Sequence, residues 1–312
     1  MTHITFIHGI ANKPDSNELL RRWKAALAAA HTPLDLDSEA TSSMVYWADV
    51  MYARPLSDDE FESAISEETI EGIDSVNMSM PSSSIDNETK WISMMSEKLG
   101  VDFNFSDDGS NAANTTKDTM AEELERIPLP GIIKDAFLKK FLRDVHHYLF
   151  NAESTPRPGE TFKVQDEIRS RFVATLEHGS SKPGPHIVVS HSMGTVIAYD
   201  CLKRVSNCPK IDSFVTIGSP LGIDEIQDKL KPEWTKSDGF PSNKLLATWQ
   251  NFYDPLDVVS RLDPRISNDY KKQNAKIVSD ASQSNDGIWR HDIEKYLKGP
   301  EVSLAISKLL GL

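Results

Sequence analysis

The sequence predicts an α/β protein, with a mostly parallel central sheet and helices on both of its faces. Two observations predict it. Residues 187–189 are an uninterrupted apolar run, and 4–7 and 214–217 are short, mainly apolar runs, the composition of strands buried on both faces. Between such runs lie segments with helical apolar spacing, and this alternation of strand and helix is the order that gives parallel neighbours.

The elements follow in chain order. Residues 4–7 form a first strand that stops at His8-Gly9. Asp15 and Glu18, at capping-box spacing, open a helix whose apolar stripe is Leu19, Leu20, Trp23, Ala26 and Leu27. Residues 44–50 read as a second strand. Stretches 77–87 and 104–116 are rich in Ser, Asn and Asp and read as loops or linkers. Between them lies an apolar island of Trp91, Ile92, Met94, Met95, Leu99, Phe103 and Phe105. Ile132, Ile133, Phe137, Leu138, Phe141, Leu142, Val145 and Leu149 then recur at the spacing of an amphipathic helix. A further helix is expected over 162–176, strands over 245–253 and 275–278, and a terminal helix over 301–310.

Of the 312 residues, 34 are Lys or Arg and 47 are Asp or Glu, a net charge of −13. The acidity is local. Positions 55–125 hold 18 acidic and 3 basic residues, which leaves 31 basic and 29 acidic for the rest of the chain. A near-neutral body with an acidic insert argues against nucleic-acid binding, which needs clustered Lys and Arg, and against resting on anionic lipid. No window has the ~18 apolar residues of a membrane span, so stable membrane insertion is not expected. The N-terminus reads as a strand and not as a signal peptide. Cys201 and Cys208 are too few for a disulfide framework and fit a reducing, cytoplasmic setting. No cofactor or metal is indicated, and the oligomeric state is left open.

The segment that carries chemistry is His186-Ile-Val-Val-Ser190-His-Ser192-Met-Gly194-Thr-Val-Ile. A buried strand turns sharply into a helix with Ser192 at the turn. Such a turn crowds the positions two before and two after, and Ser190 and Gly194 are both small. It lifts the hydroxyl above the sheet and aims the free N–H groups of a helix N-terminus at the same point. An ordinary turn with a capping serine is the plainer alternative.

Here the chain resembles the α/β-hydrolase superfamily, in particular its lipase-like and esterase-like serine hydrolases. The family pentapeptide is Gly-x-Ser-x-Gly, and here Ser190 stands for the first Gly. The resemblance covers about two thirds of the chain and implies an α/β-hydrolase core over 1–54 and 158–312. Residues 55–157 then form an acidic, partly helical insertion in the position of a cap or lid. The resemblance also implies an oxyanion hole from the N–H groups of Ile10 and Met193, with His8 and Gly9 shaping its loop. His8 is expected to hold that loop by a hydrogen bond. Ser219, Pro220 and Leu221, in Gly218-Ser-Pro-Leu-Gly222, are expected to form a pocket wall, with a plain turn as the alternative.

A general base near neutral pH implies histidine. His191 adjoins Ser192 but is expected to point away. His3, His31 and His178 lie at segment edges, and His146 and His147 sit side by side on a helix. His291 lies late in the chain and fits the family order of serine, acid, histidine. The acid follows the 245–253 strand. Asp257, trailed by Val258-Val259, matches the family's anchored loop. Asp254, before Pro255, suits a turn cap and is second choice, and Asp263 is third.

The reading is a Ser192-His291-Asp257 hydrolase of carboxylic esters. Alternatives are a lipase or phospholipase, a thioesterase or peptidase on the same triad, and a non-catalytic binding module on the same fold. Met78, Met80, Met94, Met95 and Trp91 either line an acyl pocket or pack the insertion's own core.

Overall fold

The computed structural model describes residues 1–65, 86–101 and 131–312. Residues 77–85 and 104–116, with Met78, Met80, Phe103 and Phe105, lie outside them, as do the side chains of Ile132 and Ile133.

The first strand, β1 (Thr2–Ile7), leads into α1 (Ser16–Ala28), whose N-cap Asp15 accepts from the N–H groups of Asn17 and Glu18. The short α2 (Leu36–Glu39) and β2 (Ala40–Val45) follow. Then come α3 (Asp58–Ile65), α4 (Asp86–Leu99) and α5 (Gly131–Leu149). The hairpin β3 (Glu153–Arg157) and β4 (Glu160–Lys163) stands apart from the main sheet and leads into α6 (Val164–Ser180). The second half alternates β5 (His186–His191), α7 (Met193–Arg204), β6 (Ile211–Ile217), α8 (Asp224–Lys229), β7 (Leu245–Tyr253) and β8 (Val278–Ser282). It closes with α9 (Ile293–Lys298) and α10 (Pro300–Leu310).

The main sheet has six strands in the order β2-β1-β5-β6-β7-β8, all parallel. Its pleat sends alternate residues to opposite faces. Ile187, Val189, Val215 and Ile217 pack with α1, α9 and α10 through Trp23, Tyr296 and Ile306. Val188 and Phe214 pack with α6 and α7 through Phe172, Val196 and Ile197. Helices thus cover both faces, as alternation predicts.

Boundaries moved where local bonds outweighed the apolar pattern. The expected 44–50 strand ends at Val45, because the Trp47 N–H leaves the ladder for His8 Nε2 at 3.1 Å and Ala48–Val50 forms a 3₁₀ turn. The expected 275–278 strand starts at Val278, since Ala275 bridges to Lys272. The helix expected from 162 starts at Val164, because Phe162 and Lys163 pair with Ser154 and Glu153. Asp86 and Asn87, expected as loop, open α4.

The described part of the apolar island does not form a core of its own. Trp91, Ile92, Met95 and Leu99 join Leu138, Phe141, Leu142 and Val145 in the same cluster as Val188, Met193 and Val196. Trp91 Nε1 donates to the Glu225 carbonyl at 2.8 Å and Lys98 pairs with Glu225 at 2.6 Å, which ties α4 to α8. Met94 instead faces solvent. The described part of the insertion is therefore packed into the same core as Met193 and Val196. Among the described residues, no helix is long and apolar enough to cross a membrane.

Candidate active site

The strand order reverses at β1 and β5. From β1 the chain crosses to β2 on one side, then continues through β5 on the other, and a crevice opens at the carboxyl ends of such a pair. His8-Gly9-Ile10 leaves β1 at this point, and Ser192 leaves β5.

Ser192 has φ 54° and ψ −131°, a strained conformation for a side chain with a Cβ, costing on the order of 1–3 kcal/mol. Its N–H donates to the Ile217 carbonyl at 2.9 Å, and its carbonyl accepts from the Thr195 hydroxyl at 2.6 Å. Close approach from β1 completes the turn. A Cβ on Gly194 would lie 2.6 Å from the His8 carbonyl oxygen, and one on Gly9 would lie 2.6 Å from Ser192 Cβ. Neither glycine can therefore carry a side chain without displacing the neighbouring backbone.

The Ser192 hydroxyl meets His291 Nε2 at 2.9 Å, and His291 Nδ1 lies 2.8 Å from each carboxyl oxygen of Asp257. Burial works against the Asp257 carboxylate. The His291 ring and hydrogen bonds from His291, the Val259 N–H and the Tyr296 hydroxyl outweigh it and hold its pKa down to about 2. A carboxylate only accepts, so Nδ1 carries the proton it shares with Asp257. The Nε2 lone pair is thereby left facing the Ser192 hydroxyl.

The three side chains come from three loops at the same end of the sheet. Asp257 sits in the turn after β7, with Oδ1 accepting from Val259 N–H at 2.8 Å. His291 precedes α9, and its carbonyl accepts from His191 Nε2 at 3.0 Å. His191 thus braces the backbone of His291. Gly218, at φ 56°, lies under both partners, since a Cβ there would be 3.0 Å from Asp257 Oδ2 and 3.3 Å from His291 Nδ1.

The other acidic candidates have other roles. Asp254 is fully buried but turned from His291. It accepts from the N–H groups of Leu256 and Asn285 at 2.7 and 2.6 Å and from Arg290 at 3.2 Å, so it clamps the loop that carries His291. Asp263 packs its backbone and side chain against Gly222, and burial near Asp269 and Asp224 raises its pKa to about 6.

His8 stacks on Trp47 with ring centroids 4.8 Å apart and is fully buried. Its Nε2 accepts from the Trp47 N–H, so Nδ1 carries the proton donated to the Gly9 carbonyl at 2.8 Å. Burial and the nearby Lys13 charge lower its pKa to about 3, which leaves a neutral loop brace. A trans peptide directs its N–H opposite to its carbonyl, so this bond turns the Ile10 N–H the other way. Met193 opens α7, where the first N–H groups find no partner within the helix.

Ser219 bonds the Thr195 hydroxyl at 2.7 Å, and the Leu221 carbonyl accepts from Tyr270 at 2.8 Å. Ser219, Pro220 and Leu221 are all buried and join the site to α7 and α8. From the insertion, Phe137 on α5 lies edge-on to His291 at 5.4 Å and to Trp289 at 4.7 Å.

Three of the other histidines have structural partners. His3 bonds Thr41 and Ser43, His146 is buried against Glu88, and His147 meets the Arg143 carbonyl. Thr41 and Ser43 become neighbours of His3, placed at a segment edge by the sequence, only through β1–β2 pairing. Sequence pattern alone does not single out Tyr296 or Asp144. Asp144 left a trace, as a charged residue within the apolar stripe of Leu138, Phe141, Leu142 and Val145. Tyr296 left none.

Among the described residues, no cluster of three or more His, Cys, Asp or Glu side chains is arranged to hold a metal ion. No protein-family model matches the chain, and no curated protein matches it.

Proposed function

We propose that the protein is a serine hydrolase of the α/β-hydrolase type that cleaves carboxylic esters through an acyl-enzyme. The observation that carries this reading is the continuous Ser192–His291–Asp257 hydrogen-bonded line, buried at the switch point of a parallel sheet. Three convergent loops holding a hydroxyl, an imidazole and a depressed carboxylate in line are a costly arrangement for a turn with no chemistry.

In this mechanism His291 Nε2 takes the Ser192 proton as Oγ bonds to the ester carbonyl carbon. The carbonyl π electrons move onto oxygen, which the Ile10 and Met193 N–H groups stabilise. The tetrahedral species collapses, the alkoxy group leaves with the proton from His291, and the acyl group remains on Ser192. Water then repeats the two steps and frees the carboxylic acid. Asp257 stabilises the imidazolium at each stage and keeps its proton on Nδ1.

Soluble or micellar esters are the substrate class favoured by the acidic insertion, which repels anionic lipid surfaces. The Phe137–Trp289 pair beside His291 favours an apolar acyl or alkoxy group and keeps lipid acyl hydrolysis as the second reading.

A fluorophosphonate probe should label the intact protein and not Ser192→Ala. Absence of labelling where a control esterase reacts would sink the proposal. Rates on p-nitrophenyl esters of increasing acyl length then separate the two readings, since a steep fall beyond short chains removes the lipase.

A further inference from the structure

The geometry points to Asp144, on the insertion helix α5, as the positioning residue for the Ile10 N–H. The inference rests on the serine-hydrolase reading above.

Two peptide planes meet at the Ile10 Cα. The Gly9–Ile10 plane is fixed by the bond from His8 Nδ1 to the Gly9 carbonyl. The Ile10–Ala11 plane is held at both ends. Lys13 Nζ donates to the Ile10 carbonyl, and the Ala11 N–H donates to Asp144 Oδ2 at 2.8 Å. Peptide units are planar, so fixing both planes fixes φ and ψ of Ile10 and with them the direction of its N–H. Ala11 sits at φ 67°, a left-handed conformation that favours glycine, so this loop stays in place only while outside contacts hold it.

Asp144 is itself held. It is fully buried, accepts from Tyr52 at 3.1 Å and from Arg143 Nε at 2.9 Å, and Arg143 lies over the Tyr52 ring at 4.9 Å. These bonds keep the carboxylate aimed where a surface aspartate would swing free. The insertion thereby contributes to catalysis through a fixed hydrogen bond 133 positions from Ala11 in sequence.

The test uses the full chain and a short p-nitrophenyl ester. An oxyanion contact forms only in the transition state, so its loss lowers kcat and spares KM. Asp144→Leu should lower kcat by roughly 10- to 100-fold, a fraction of the effect of deleting one oxyanion donor. KM should stay within about twofold, the pattern of a transition-state contact. Affinity for a trifluoromethyl ketone, whose adduct carries the oxyanion, should fall in step. Asp144→Asn, a neutral acceptor, should lie between Asp144→Leu and the parent. If Asp144→Leu does not fold, Asp144→Asn carries the test alone through its kcat. A folded variant with kcat and ketone affinity equal to the parent overturns the inference while leaving the hydrolase reading intact. A parent protein that neither labels at Ser192 nor turns over removes both.

Discussion

The hydroxyl of Tyr296 donates to Asp257 Oδ2 at 2.8 Å and accepts the Asp254 N–H at 2.7 Å. One phenol on α9 thus ties the Asp257 carboxylate to the start of its own loop. Tyr296→Phe removes both bonds and leaves the Asp254 N–H unpaired in a buried site. It should cost about 1–3 kcal/mol of stability, the penalty for stranding a buried polar group. Activity should fall far less than in Asp257→Asn. Urea unfolding with a parallel rate measurement checks this, and a variant as stable as the parent would show the phenol to be idle.

Asp257 should leave a signature in pH. Its pKa is lowered from 3.8 to about 2 in the folded protein. A depressed carboxyl contributes stability above its unfolded pKa and loses it as pH falls through the folded value. The contribution is about 2 kcal/mol at neutral pH and fades between about pH 4 and 2. The difference in unfolding free energy between parent and Asp257→Asn should therefore shrink as pH falls across that window, and a constant difference contradicts the assignment. Turnover of Asp257→Asn should drop by about 10⁴, because an amide no longer fixes the imidazole tautomer.

Asp254→Ala should separate stability from chemistry. Its carboxylate accepts two backbone N–H groups and Arg290. Removing it should destabilise the protein by about 1–3 kcal/mol per stranded buried group. The lost clamp also loosens the His291 loop, so kcat falls, but by less than in Asp257→Asn. A larger kcat loss than in Asp257→Asn would exchange the two assignments.

Gly194→Ala places a methyl 2.6 Å from the His8 carbonyl oxygen. Backbone cannot yield there without opening the β1–β5 crevice. The expected cost is about 1–3 kcal/mol, as for an overpacked core, together with loss of Ser192 labelling. A thermal melt and the fluorophosphonate probe read the two effects, and full labelling would mean that the crevice tolerates the methyl group.

Asp263 should behave in the opposite sense to Asp257. Burial, then Asp269 and Asp224, raise its pKa from 3.8 to about 6. A raised carboxyl favours folding while protonated, so its penalty appears above about pH 4 and is complete once pH passes about 6. Asp263→Asn should be more stable than the parent at pH 8 and equal to it near pH 3. Unfolding curves at the two values test the sign.

Much of the site was legible because its parts are local. The Ser190-His-Ser192-Met-Gly194 turn and the His8-Gly9 strand end are set by short-range sterics, since a Cβ on Gly194 would strike backbone and one on Gly9 would strike Ser192 Cβ. Local pattern ranked Asp257 ahead of Asp254 without excluding it, since both suit the turn after β7. Tyr296 and Arg290, which decide between them, come from a loop and helix more than thirty residues later. Strand ends were misjudged where a side chain captured the backbone, as His8 does at Trp47.

By itself the sequence determined the alternation of strands and helices, the strained serine turn and the separation of a neutral body from an acidic insert. These depend on periodicity, residue size and charge, which act over a few positions. Only the tertiary structure decided which aspartate reaches His291, that Trp91 and Met95 join the main core, and that Asp144 holds the loop after β1. Such pairings depend on where distant segments meet, and a hydrogen bond is directional enough that three residues of displacement separate a clamp from a relay.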